Sequence, residues 1–104
     1  MFIFLSSFFT GMEAIFVFTY LKSQDLCSLF RAFFGHVHTQ SQILTDRRVI
    51  FQIFEQLLQT RIKHVMPLAS EFVLSFIQAV DAEKDPINMN LIFRLWPLVI
   101  ENFR

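Results

Sequence analysis

The sequence predicts an all-α fold of antiparallel helix pairs, arranged as in an α-solenoid of the HEAT or armadillo type. Apolar residues recur at spacings of three and four along much of the 104-residue chain, as in helices that bury one face. Candidate helix starts at Asp25, Asp46, Pro67 and Asn88 lie about 21 residues apart. Two such helices make a unit of about 42 residues, which is within the period of HEAT and armadillo repeats.

The first two predicted helices run near residues 25–37 and 46–63. Gly35 is placed to end or loosen the first helix, and Thr45 is the N-cap candidate of the second. The inward residues are expected to be Leu26, Leu29, Phe30, Phe33 and Val37, then Val49, Ile50, Ile53, Phe54, Leu57 and Leu58. The outward residues of the second helix are Arg48, Gln52, Glu55, Gln56 and Gln59. Its C-terminal end carries positive charge that suits the exposed carbonyl groups there, from Arg61, Lys63 and His64.

The third and fourth predicted helices, near residues 67–80 and 88–103, each carry an apolar stripe. Pro67 suits a first helical turn, whereas Pro97 must kink the fourth helix or end its regular part. Asn88 is the N-cap candidate of that helix. The stripes are Phe72, Val73, Phe76, Ile77 and Val80, then Leu91, Ile92, Leu95, Trp96 and Val99. Because burial of both stripes is favourable, the two helices are expected to pack against each other.

A charged turn, residues 81–86, separates these two helices. Glu83 and Asp85 precede a helix N-terminus, whose free N–H groups favour negative charge. Pro86 keeps Asp85 out of the α region. The turn is therefore expected to set the geometry of the two helices. The alternative is contact with a protein partner, for which the candidate residues are Glu83, Lys84, Asp85 and Arg94.

The turn and its flanks, FIQAVDAEKDPxNxxxxFR, carry a resemblance to a known family. They resemble the N-terminal domain of the methyl-methanesulfonate-sensitivity-nineteen family, and the sharpest part is EKDPxN. Ala82 stands where that family favours glycine, and Trp96-Pro97 replaces residues that continue a regular helix. The other matching residues, in order, are Phe30, Val37-His38, Gln40-Ser41, Asp46-Arg47, Phe72, Phe76-Ile77-Gln78, Asp81, Glu83-Lys84-Asp85-Pro86, Asn88 and Phe93-Arg94.

The resemblance covers roughly the last three quarters of the chain and implies a fragment of a HEAT-repeat scaffold. It implies a non-catalytic adaptor of the cytosolic iron–sulfur protein assembly targeting complex, which helps to deliver clusters to DNA repair, replication and transcription proteins. The partners implied are subunits of that complex and its client proteins, in cytoplasm and nucleus. Members of the family are many times longer than this chain.

Residues 1–22 form an atypical hydrophobic stretch that is expected to be helical. One interpretation is a helix buried within a larger helical array, or a divergent start of the domain. The alternative function is a small membrane-anchored helical adaptor, with residues 1–21 as the anchor. Glu13 opposes that alternative, because a carboxylate near the middle of a bilayer costs about 2.5–3.5 kcal/mol on insertion scales.

Residues that could carry chemistry are few. Lys and Arg together number 9, as do Asp and Glu, so no positive field attracts nucleic acid. Cys27 is the single cysteine, which cannot supply the several thiolates of an iron–sulfur cluster. His36 and His38 form an HxH pair, but two residues one apart on a helix diverge, and no second ligand cluster follows. No catalytic residue, metal site or cofactor is therefore expected.

Overall fold

The computed structural model describes residues 23–36 and 38–103, and in that part of the chain every regular element is helical. Two short 3-10 turns, Thr39–Ser41 and Met66–Leu68, join the helices. The all-α prediction is therefore confirmed for the described residues. The helices are α1 (Ser23–His36), α2 (Leu44–Thr60), α3 (Ile62–Val65), α4 (Ala69–Val80) and α5 (Pro86–Asn102).

The predictions for residues 1–22 and the inward placement of Val37 lie outside the described residues. Within residues 23–36 and 38–103, no helix combines the length and the apolar character that crossing a bilayer would need.

The helix boundaries differ from the expected ones where local backbone geometry intervenes. The helix expected near 46–63 ends at Thr60, because Arg61 (φ −128°, ψ 25°) leaves the helical conformation, and α3 begins one residue later. Pro67 lies in a 3-10 turn, so the third long helix begins at Ala69. The last helix begins at Pro86, two residues before the expected start. Its N-cap is Asp85, not Asn88.

Helix α2 lies at the centre of the hydrophobic core. Six of its residues are buried, over an arc wider than one face, because it packs against α5 and contacts the segments that precede and follow it. Phe51 is fully buried, although its position in the pattern did not mark it as inward. The buried residues of α2 are Ile50, Phe51, Ile53, Phe54, Leu57 and Leu58.

A chain of aromatic rings connects the four long helices. Phe30 of α1 stacks on Phe72 of α4, with ring centroids 5.4 Å apart. Phe54 of α2 lies edge-on to Phe72 and to Phe76, at 5.3 Å in both cases. Phe76 in turn meets Trp96 of α5 edge-on at 5.0 Å. Such pairs contribute about 0.5–1.5 kcal/mol each beyond the area they bury, so this cluster holds the helices in register.

One expectation about the last helices needs correction, and one of the two alternatives for Pro97 is excluded. Ile77, assigned to the inward stripe of the third helix, is 46% exposed, because α4 turns Phe72, Phe76 and Ala79 toward the core instead. Pro97 does not end α5, which continues to Asn102. Pro97 and Phe93 are both exposed, so the Phe93 carbonyl that loses its N–H partner lies on the side of the helix open to water.

Candidate functional site

The turn between α4 and α5 has a defined backbone geometry. Asp81 adopts φ −62° and ψ 125°, Ala82 has φ 69°, and the Glu83 N–H donates to the Val80 carbonyl oxygen at 3.1 Å. These values match a type II β-turn, whose third residue requires positive φ. Ala82 therefore occupies the left-handed position, which explains why the resemblance has glycine there. The turn directs Glu83 back toward the protein.

Glu83 is the centre of a buried polar cluster. Its side chain is fully buried and accepts hydrogen bonds from Arg47 Nε at 2.9 Å and Arg47 Nη2 at 3.2 Å. Gln40 Nε2 donates to Glu83 Oε1 at 3.1 Å and to the Ala79 carbonyl oxygen at 2.7 Å. The Asp85 N–H donates to Glu83 Oε2 at 3.2 Å. The carboxylate thus joins the 3-10 turn, the start of α2 and the turn before α5.

Asp85 and Asn88 form the second half of this cluster, around Arg48. Asp85 Oδ2 caps α5 by accepting from the Asn88 N–H at 2.9 Å, and it also accepts from Arg48 Nη2 at 3.1 Å. Arg48 Nε donates to Asn88 Oδ1 at 3.0 Å. Asn88 is fully buried. We call the whole cluster the polar bracket: Gln40, Arg47, Arg48, Glu83, Asp85 and Asn88.

The electrostatics of the bracket favour the ionised carboxylate. Burial by itself raises the pKa of Glu83. Hydrogen bonds from Arg47, Gln40 and the Asp85 N–H, together with the positive charge of Arg47, outweigh that effect and lower the pKa below its ordinary value. Glu83 therefore stays charged at neutral pH, where it anchors three segments of the chain.

The chemistry available to the bracket is positioning. Its carboxylates, Glu83 and Asp85, are held by guanidinium, amide and backbone N–H groups, and they fix the position of those groups in turn. Three buried polar atoms in or beside it have no hydrogen-bond partner among the described residues: Gln42 Oε1, Asp46 Oδ2 and Asn88 Nδ2. The bracket thus fixes the position of α2 relative to α4 and α5.

The predicted contact residues differ in their accessibility. Glu83 and Asp85 are engaged in the bracket, whereas Lys84 is exposed beside it. Arg94 is also exposed and its Nη2 donates to Glu55 Oε2 at 3.0 Å, with 66% of the arginine side chain accessible. Of the four predicted contact residues, Lys84 and Arg94 are therefore the exposed ones. The sequence pattern did not predict Gln40, Arg47 and Arg48 as site residues. The feature that could have indicated them is that their side chains complement Glu83 and Asp85 in charge or hydrogen bonding.

The side chains considered for metal chemistry are not members of the bracket. Cys27 is half-buried and its Sγ donates to the His64 carbonyl oxygen at 3.6 Å. His38 is exposed in the turn after α1, and the side chain of His36 is outside the described set. Among the described residues, no three His, Cys, Asp or Glu side chains come together as a metal site would require.

Comparison with known proteins identifies similar sequences. Residues 2–104 match the family described as Dos2-interacting transcription regulator of RNA-Pol-II, the MMS19 N-terminal family. The chain is 34% identical over 85 residues to the MMS19 nucleotide excision repair protein homolog of Mus musculus, and 32% identical over 91 residues to the homolog of Homo sapiens. It is 29% identical over 93 residues to the MMS19 nucleotide excision repair protein of Drosophila melanogaster.

These matches cover most of the chain but little of each relative. They include 82% of the chain for the mouse protein, 88% for the human protein and 89% for the fly protein. The corresponding shares of the relatives are 8%, 9% and 10%. The chain therefore spans about a tenth or less of the length of these relatives. No solved structure matches it.

Proposed function

This chain belongs to the MMS19 N-terminal family, and from that premise we propose that it acts as a non-catalytic scaffold segment in cytosolic iron–sulfur protein assembly. Its role is to help present DNA repair, replication and transcription proteins to the targeting complex that supplies their clusters. The observation that carries this proposal is the family match over residues 2–104. The iron–sulfur role comes from the resemblance of the EKDPxN turn and its flanks.

The described structure supports a scaffold in two ways. Charge and hydrogen bonding in the polar bracket hold helices in place, and Glu83 with a fully buried side chain has no access to a substrate. The family name also states an interaction with another protein, Dos2, and a role in transcription. Binding of proteins is therefore the activity most consistent with this segment.

We also infer that the helices are stacked pairs of a HEAT-like solenoid. The second face of the last pair is apolar and open: Leu74 and Ile77 of α4 are 56% and 46% exposed, and Phe93 and Ile100 of α5 are both 61% exposed. An open groove of about 380 Å³ lies along α4, lined by Val73, Leu74 and Ile77 among others, and includes Phe103 just after the end of α5. We call this surface the apolar arc: Val73, Leu74, Ile77, Phe93, Ile100 and Phe103.

Stacking explains the apolar arc because each pair in a solenoid buries its faces against its neighbours. Several large exposed apolar side chains on one pair of helices are what an interaction site presents. In relatives about ten times as long, a neighbouring helix pair is the natural cover for it.

The contact surface that we propose for partner proteins is the cationic pair Lys84 and Arg94. Lys84 is exposed in the turn that the bracket holds in place, and Arg94 is exposed further along α5, where it pairs with Glu55. Binding through these residues requires an acidic patch on the partner.

The proposal is tested by measuring binding of the full chain to purified subunits of the cytosolic iron–sulfur assembly targeting complex and to a purified iron–sulfur DNA helicase. At least one of these proteins should bind, and the double variant Lys84→Glu with Arg94→Glu should bind it at least about tenfold more weakly, as two lost rim contacts predict. Lys63→Glu, an exposed charge reversal on α3, is the matched control. Absence of binding to every one of these proteins refutes the iron–sulfur role, and an equal loss in the control refutes the contact surface.

A further inference from the structure

A small polar pocket lies beside the bracket, between the 3-10 turn, the end of α1 and α4. Its volume is about 120 Å³, which is room for roughly four water molecules at about 30 Å³ each. We call it the turn pocket, and its polar lining residues, which lie beside Phe34, are His38, Thr39, Gln40, Ser41, Ser75 and Gln78. The polar bracket holds one wall of it in place.

That wall is the amide of Gln40. Both hydrogens of its NH2 group are engaged, because Nε2 donates to the Ala79 carbonyl oxygen at 2.7 Å and to Glu83 Oε1 at 3.1 Å. Since both partners are acceptors, the orientation of the amide is determined. Its carbonyl oxygen can accept a hydrogen bond from an N–H donor. The Gln40 amide therefore supplies the pocket wall with an acceptor.

Thr39 supplies a complementary group. Only 6% of this residue is exposed. A hydroxyl can donate to a carbonyl oxygen. Ser41 and Ser75 offer further hydroxyls in the same pocket, and the ring of Phe34 offers a surface for the apolar atoms of a ligand.

Charge selects against ionised ligands. His38 is the titratable side chain in the described lining, which contains no Asp or Glu, so a buried ammonium would have no anionic partner there. The Glu83 carboxylate behind Gln40 disfavours a second carboxylate. A purely apolar group would leave the Thr39 hydroxyl and the Gln40 carbonyl without partners.

We propose that the turn pocket is the binding site for a primary carboxamide, the side chain of an asparagine in an extended segment of a partner protein. The NH2 group of that side chain donates to the Gln40 carbonyl oxygen, and its C=O accepts from the Thr39 hydroxyl. An asparagine side chain has four heavy atoms, which suits the volume. This inference deepens the proposed scaffold role and depends on it only for the identity of the partner.

The test uses N-acetyl-asparagine N-methylamide as the probe, with the aspartate and leucine analogues as isosteric comparisons. Binding to the full chain is followed by ligand-observed saturation-transfer NMR. We expect saturable binding of the asparagine probe, and binding of the aspartate and leucine analogues that is weaker by about fivefold or more, the factor for one lost hydrogen bond.

Variants locate the binding. Thr39→Val keeps the shape of the side chain and should weaken binding of the asparagine probe by about fivefold. Ser75→Leu should fill the pocket and abolish binding, whereas Thr45→Val, at an exposed position on α2, should leave it unchanged. Circular dichroism of each variant confirms that it is folded.

Equal affinity for the three probes, or unchanged binding by both Thr39→Val and Ser75→Leu, overturns the proposal. The probe titration and the binding of assembly proteins are independent measurements. A negative titration alongside bound assembly proteins refutes the carboxamide site alone, and the reverse result refutes the scaffold role alone.

Discussion

At the scale of single residues, Ala82 is the clearest point of strain. It has φ 69°, and no other non-glycine residue in the described part of the chain has positive φ. An L-residue with a Cβ pays about 1–2 kcal/mol in the left-handed region. The hydrogen bond from Glu83 to Val80 and the buried carboxylate that follows hold the turn against this strain. Strain at Ala82 is thus balanced by the bracket.

Replacing Ala82 by glycine should stabilise the protein by about 1 kcal/mol, because glycine adopts positive φ without steric conflict and loses part of that gain through its more flexible unfolded chain. The free energy of unfolding from urea titration of the full chain measures the change. The matched control is Ala32→Gly, at an exposed position inside α1, which should lower the free energy of unfolding by about 1 kcal/mol. Destabilisation by Ala82→Gly would show that the turn is not type II in solution.

At the scale of secondary-structure elements, the bracket determines how helices far apart in sequence meet. Arg47 and Glu83 are separated by 36 residues, and Arg48 and Asn88 by 40. One guanidinium contacts the carboxylate after α4 and the other contacts the cap of α5. Because a buried charge without its partner is strongly unfavourable, these contacts permit only one arrangement of the three helices.

The pKa of Glu83 makes this arrangement sensitive to acid. A carboxyl whose pKa is lower in the folded state contributes stability that is fully present above the unfolded pKa, about 4.3, and is lost as pH falls through the folded pKa. Glu83→Gln should therefore lower the free energy of unfolding by about 2 kcal/mol at pH 7, as loss of hydrogen bonds to a charged group predicts. It should also flatten the fall in stability below about pH 4.3.

Chemical denaturation at several pH values measures both effects. Glu71→Gln is the control, because Arg31 likewise lowers the pKa of Glu71 through a hydrogen bond, but that pair is exposed to solvent. The Glu71 variant should change the pH dependence much less, since solvent screens exposed ion pairs. If both variants behave alike, the burial of Glu83 in the bracket does not control acid sensitivity.

At the scale of the whole molecule, the apolar arc is the dominant surface feature of the last two helices. Phe93 and Ile100 project from the outer side of α5, opposite the residues that pack on α2. Their exposure contributes nothing to the core and favours association with another apolar surface. Side chains of the apolar arc can therefore contribute to assembly without contributing to folding.

The double variant Phe93→Glu with Ile100→Glu should reduce self-association of the full chain while changing its free energy of unfolding by less than about 1 kcal/mol, as expected for exposed positions. Sedimentation velocity measures the first quantity, and urea denaturation the second. Phe76→Ala, at a fully buried ring, is the contrasting variant and should lose about 3–5 kcal/mol. Unfolding of the double variant would place the arc in the core.

Much of the helical core could be predicted from periodicity. Phe72, Phe76, Leu91 and Leu95 are buried as expected, because a spacing of three and four places them on one side of a helix. Burial of Phe51 was not predicted, and the predicted burial of Ile77 was wrong. Phe51 is buried because α2 has neighbours on more than one side, and Ile77 is exposed because it lies beyond the edge of the face that meets α2. A periodic pattern gives the apolar sides of a helix, but not how many neighbours cover them.

The candidate site could likewise be predicted only in part. The charged turn was predicted to set helix geometry from the preference of helix N-termini for negative charge, and the structure places Asp85 there as the cap. The partners of Glu83 could not be predicted, since Gln40 and Arg47 precede it by 43 and 36 residues. Charge complementarity was visible in the sequence, but many pairings satisfied it equally.

For the described residues, the sequence by itself determined that the chain is helical and roughly where each helix lies, and a short motif indicated the family it resembles, because helix periodicity and short motifs are local properties. Only the tertiary structure decided that Glu83 is buried rather than exposed, that Phe93 and Ile100 remain uncovered, and that a pocket opens beside Gln40. Those outcomes depend on which helices become neighbours, and that choice is made by packing between residues about 40 positions apart.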